Sequence, residues 1–181
     1  MRSRRILKSR ARTCACAGLI AVAASGCSTG GSSLATGSLA SYTASNIFAT
    51  AGYSDKAVSD TQHQVVATGT DTTPPERVEK IAMARAAEVG ISKKFAFFKV
   101  AGLTRNVRCT KKKPGYKSTD IAADARPVVT LDAIYSATPA DADYRGTKET
   151  FDRLQGELAS DTYTPEALQA ASADAYARCP K

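Results

Sequence analysis

Any chemistry in this 181-residue chain must come from few residues, because it holds five Cys, one His and no Trp. One His excludes centres that need two imidazoles and leaves little scope for imidazole acid–base catalysis. That residue, His63, opens a β-type run with no Cys or second His beside it, so it is read as structural. Arg85 and Glu88 stand three apart, which suits an ion pair on one helical face better than a reactive site. Asp141-Ala142-Asp143 lacks the Gly and the closing Glu of a calcium loop. The sequence contains no Gly-rich phosphate loop, Gly-x-Ser-x-Gly elbow or metalloprotease motif. With no nucleophile–base pair to nominate, the sequence predicts a non-enzymatic protein with no catalytic residue, no metal and no cofactor.

The N-terminus sorts the cysteines. Arg2, Arg4, Arg5, Lys8, Arg10 and Arg12 come with no acid among them, and Thr13 to Ala24 then run small and apolar. Such an order marks a signal peptide, whose apolar stretch is too short for a mature membrane span. Ala24-Ser25-Gly26-Cys27 follows and resembles the lipobox of bacterial lipoproteins, with Ala24 standing where Leu is commoner. The resemblance implies a diacylglyceryl thioether on Cys27, cleavage before it and acylation of the new amino end. Several acyl chains on one residue suffice for stable anchoring. Ser28, not Asp, follows the Cys, which in Gram-negative lipoproteins of this kind implies the periplasmic face of the outer membrane. The plain alternative is an ordinary secretory signal with a coincidental Cys. Residues 28–45 are charge-free and rich in Ser, Gly, Ala and Thr, the composition of a flexible tether.

Processing changes the arithmetic. The chain has 25 Lys+Arg against 17 Asp+Glu, a net +8; loss of residues 1–26 takes six cations and leaves 19 against 17. A nucleic-acid partner is therefore not expected. The membrane, reached through Cys27, is the expected partner, with an envelope protein as another. Cys14 and Cys16 leave with the leader, so Cys109 and Cys179 remain, and in an oxidising compartment a disulfide is the economical reading. It would close a loop of about 70 residues, for roughly 4 kcal/mol of stabilisation. The alternatives are two unpaired thiols, or a reactive Cys109 whose pKa Arg108 and Lys111 to Lys113 would lower. Nine cations and no acid lie between Val89 and Thr119. Of these Arg105, Arg108, Lys111, Lys112, Lys113 and Lys117 form a candidate patch for an anionic surface. The competing reading is solvated strand edges and turns, where cations discourage edge-to-edge pairing.

Several elements must position these groups. His63 to Thr70 is β-type. Thr73-Pro74-Pro75-Glu76 predicts a helix start, with Thr73 as cap and Glu76 completing a capping box. Val78, Ile81, Ala82, Ala86 and Val89 follow at helical spacing, and Gly90 stands where the helix should stop. Phe95 to Val100, Leu103 to Cys109 and Pro127 to Tyr135 read as strands, with Pro114-Gly115 as a turn. Thr147 to Ala159 and an Ala-rich segment opening at Thr164-Pro165 and ending near Arg178 read as helices. The expected fold is α+β: a small antiparallel or mixed sheet packed by one Ala-rich helix, with C-terminal helices. The expected domains are a signal peptide over 1–26, a flexible tether over 27–45 and a single α+β domain over 46–181.

Gly52-Tyr53-Ser54, Val65 to Gly69, Pro75 to Glu79, Arg85-Ala86-Ala87-Glu88, Phe97-Phe98, and Asp143-Tyr144 leading to Phe151–Leu154 occur in that order. Over roughly residues 46–159 this pattern resembles an uncharacterised proteobacterial lipoprotein family. The resemblance implies a lipoprotein with a small α+β domain and carries no assigned activity. The reading is a lipid-anchored envelope protein acting as a structural or interaction module. Its rival is a periplasm-facing domain that binds a small ligand or anionic lipid in a pocket between the Ala-rich helix and the sheet.

Overall fold

A computed structural model describes residues 38–47, 50–110 and 124–179. Cys27, Lys111, Lys112, Lys113, Lys117, the expected signal peptide and residues 27–37 of the expected tether lie outside the described residues. The elements are β1 (Gly52–Ser59), β2 (Gln62–Thr68), α1 (Pro75–Ser92), β3 (Phe97–Thr110), β4 (Asp124–Ser136), β5 (Arg145–Gly146), α2 (Thr147–Ser160) and α3 (Pro165–Ala177). This is an α+β arrangement built on one five-stranded sheet of order β1-β2-β4-β3-β5, with every strand pair antiparallel.

Strand β4 is the sheet's central ruler. From Ala125 to Tyr135 every second residue is buried, the period-two pattern of a strand with one face against a core. Register carries that face to the neighbours: Val65 and Leu103 lie opposite Leu131, and His63 and Val100 opposite Ala133. Helix α1 covers it with Val78, Ile81, Ala82, Ala86 and Val89, all buried, as their spacing predicts. Ala84 and Ala87 are buried as well, because α2 packs on another side of α1 through Leu154 and Leu158. Among the described residues the middle of the α1–sheet interface is filled by these side chains.

Four local expectations are corrected. Thr73 does not cap α1: the cap position is Pro74 without a side-chain bond, and the Thr73 hydroxyl instead accepts from the Thr70 and Ala40 backbone N–H groups. Gly90 does not end the helix, which continues to Ser92. A Cβ at Gly90 would sit 2.5 Å from Thr147 Cγ2 and 3.0 Å from the Tyr135 ring, so this Gly permits close approach. The two strands expected between Phe95 and Cys109 are one, β3, with a bulge between Val100 and Gly102 absorbing the break in alternation. Finally, the ordered domain begins before residue 46.

That earlier start is a strap. Thr70 Oγ1 donates to the Ser38 carbonyl at 2.8 Å, Ala40 is buried, and the Arg77 Nε donates to the Ala40 carbonyl at 3.0 Å. Ala44 forms a parallel bridge with Tyr53 on the outer edge of β1. Gly52 takes φ 121° there, and a Cβ would lie 2.3 Å from the Thr43 carbonyl oxygen, so Gly is required. Residues 38–45 of the expected tether thus belong to the domain.

Candidate functional site

Where strap, β1 and α1 meet, Arg85 is the hub. It projects from the second half of α1 toward β1, three residues before Glu88 on the same helical face. Its Nε and NH2 each lie 2.8 Å from Asp55 Oδ1, and its NH1 lies 2.6 Å from Glu88 Oε2. The guanidinium carbon sits 4.8 Å from the Tyr53 ring centroid, a cation–π distance. Tyr42 of the strap donates its hydroxyl to Glu88 Oε2 at 2.6 Å and packs its ring 4.8 Å from Tyr53 and 6.2 Å from Phe151. Burial works against the Arg85 charge, but hydrogen bonds with Glu88 and Asp55 outweigh it and raise the pKa further above its ordinary value. Burial and the Glu88 carboxylate push the Tyr42 phenol well above its usual range. Both groups are locked in one protonation state, Arg85 charged and Tyr42 neutral, which suits clamping and not proton transfer.

Sequence spacing announces the Arg85–Glu88 pair. Tyr42 and Asp55 escape it because they join from distant segments. The available signal was an aromatic residue inside an otherwise small-residue stretch, followed by Gly52-Tyr53.

His63 lies next to this hub on the buried face of β2. It is 4% exposed, and neither ring nitrogen has a hydrogen-bond partner among the described residues. Nδ1 stands 3.7 Å from Asp55 Oδ2, beyond hydrogen-bond range, and the ring meets Tyr135 edge-on at 5.8 Å between centroids. Burial, and then the Lys93 charge, lower its pKa against the opposing pull of Asp55. It is a neutral core residue. No three His, Cys, Asp or Glu side chains among the described residues are placed to hold a metal ion.

The candidate patch divides between faces. Arg105 lies opposite Val129, on the helix side of the sheet, and its NH2 bonds Glu79 Oε2 at 2.6 Å. Arg108 lies opposite Arg126 on the other side. Arg126 is held by Asp124 at 2.7 Å, so Arg108 is the patch cation with no ion pair among the described residues. Lys99, from the same basic segment, pairs with Asp141 at 2.8 Å. Cys109 is joined to Cys179 by a disulfide with Cα atoms 5.7 Å apart, tying β3 to the end of α3.

Helix α3 opens with the Thr164 side chain accepting from the Ala167 N–H and buries only Ala175. Between α3, the start of α1 and strands β3 and β4 runs a groove of about 660 Å³. Its floor is apolar, with Val107, Pro127, Val129 and Ala171, and its rim carries Glu79, Arg105 and Asp174. The concavity is thus shared by α3, the first turns of α1 and the sheet.

A one-sided antiparallel sheet with a clamped N-terminal strap and a disulfide-tied C-terminal helix defines the class of fold, an α+β domain. No protein-family model, curated protein or solved structure matches the chain, so function is argued from its residues alone.

Proposed function

We propose that the protein is a lipoprotein of the bacterial cell envelope, anchored through Cys27 at the periplasmic face of the outer membrane. It acts there as a non-enzymatic structural or interaction module. The observation that carries the non-catalytic half is the use of its polar groups. Arg77, Arg85, Glu88, Asp55 and Asp161 all join separate segments: Arg77 reaches the Ala40 and Leu158 carbonyls and Asp161, and Arg85 gathers β1 and α1. The anchoring half rests on the order of basic, apolar, small and Cys blocks ending at Cys27.

Metabolic labelling with a fatty acid tests the anchor: the wild-type chain takes label and fractionates with the outer membrane, and Cys27→Ser takes none. Label retained in Cys27→Ser refutes it. Affinity purification from crosslinked envelopes tests the module, which requires one assembly enriched reproducibly. The groove under α3 favours a second reading, a small apolar or amphiphilic ligand held in that space. Native mass spectrometry of protein extracted from envelopes would show the added mass, and a bare polypeptide mass speaks against it.

A further inference from the structure

Strand β3 carries a long free edge beside the groove. Its partner on one side is β4 throughout, but on the other β5 reaches only Phe97 and Phe98. From Gly102 to Thr110 the outer backbone groups have no strand partner among the described residues. An unpaired edge of this length is a template for one more strand. The same stretch alternates between two environments. Leu103, Arg105, Val107 and Cys109 face the helix layer, where Val107 floors the groove; Thr104, Asn106, Arg108 and Thr110 face away from it.

We propose that this edge binds an extended, acidic peptide segment of another envelope protein by β-strand addition. This rests on reading the domain as an interaction module. Charge selects the occupant. A second copy pairing through β3 would bring a stretch with two cations and no acid, whereas an acidic strand complements Arg108, which has no ion pair among the described residues. On the groove side Glu79 is already paired with Arg105 and Asp174 with Arg178, and the floor is apolar, so apolar side chains fit there. The fitting segment therefore alternates apolar residues toward the groove with Asp or Glu toward Arg108.

The probe is a capped peptide of alternating Val and Glu, about nine residues long to match Gly102–Thr110 at about 3.4 Å per residue. Its controls are the Val/Lys counterpart and a Val/Glu peptide N-methylated at alternate amides. The protein is the mature chain with Cys27→Ser. Amide-exchange protection and NMR shifts are expected over Gly102–Thr110 with the Val/Glu peptide and with neither control. Arg108→Glu, at an exposed position, should weaken binding about tenfold or more and keep the native amide spectrum. Protection elsewhere, or equal binding of either control, overturns the proposal. So does protection of the same amides by phosphatidylglycerol vesicles with none by the peptide, which would assign the edge to lipid. Crosslinked capture separates the two levels. The same assembly captured by wild type and Arg108→Glu sinks the edge and leaves the module; no assembly with either sinks the module.

Discussion

Replacing Cys109 and Cys179 by Ser cuts the single covalent tie of α3 to the sheet. The bond spans 70 residues, and the loop-closure entropy returned to the unfolded chain is worth roughly 4 kcal/mol. The contacts left to hold α3 are slight. Of its 13 residues only Ala175 is buried, worth about 1 kcal/mol on an area basis, and a helix of that length is marginal alone in water. With so little burial to hold it, α3 should leave the sheet once the bond is gone. The core of β2, β4 and α1, with Val65, Leu131, Val78 and Ile81 fully buried, does not depend on it. Undocking relaxes the native state of the variant, so the measured loss in global stability should be up to about 4 kcal/mol. Native-state hydrogen exchange should show amides of Pro165–Ala177 falling to near-unprotected rates while those of α1 and β4 keep protection tracking global unfolding. Retention of α3 protection in the Ser/Ser variant would refute this account, since contacts other than the bond would then be holding the helix.

Tyr42→Phe removes the hydroxyl bonded to Glu88 and should cost about 1 to 2 kcal/mol, at the low end for a charged acceptor because Glu88 is partly exposed; chemical denaturation measures it. An equal loss in a Glu88→Ala background, where the acceptor is gone, would show that the bond is not the cause. Gly90→Ala raises helix propensity by about 1 kcal/mol yet should destabilise by a net 1 to 3 kcal/mol, because its Cβ meets Thr147 and Tyr135; a raised melting temperature would contradict that packing. His63 has a lowered folded pKa, so the unfolded chain binds its proton first as pH falls below about 6.5, and stability drops between there and the folded value. His63→Phe should abolish that slope in urea midpoints measured from about pH 7.5 to about pH 5. An unchanged slope would place the titration elsewhere.

Local patterns made much of the fold legible. The alternation of β4, the spacing of α1 and Thr164-Pro165 before α3 each encode their element within a few residues of sequence. Strand β1 was not readable because GYSDKAVS mixes charges into both faces, its exposed edge position leaving only the Tyr53 end half-buried. The single β3 presents in sequence as two strands because a bulge at Ala101 breaks period two without breaking the ladder. Thr73 shows the limit most clearly. Its sequence context is that of a helix cap, yet a strap residue 33 positions away takes its oxygen. The Arg85 hub follows the same division: the spacing of three fixes Glu88, while Tyr42 and Asp55 arrive through tertiary structure.

The docked strap changes what an anchor at Cys27 can do. Read as a tether, residues 28–45 would let the domain drift far from the lipid surface. With Ser38 held by Thr70 and Ala40 by Thr73 and Arg77, only the chain between Cys27 and Ser38 separates anchor from domain. Whatever its conformation, that stretch cannot exceed about 40 Å. The 13 residues of β4 alone extend about 44 Å at about 3.4 Å per residue. The proposed anchor at Cys27 thus has a maximum reach comparable to the length of β4, shorter than a tether running to residue 45 would give. The strap enters the domain at the end that holds Thr70, Gly69 bonded to the Pro127 carbonyl, and the last residues of β3 opposite the first of β4. The free edge of β3 therefore runs from this end, at Thr110, back toward Gly102.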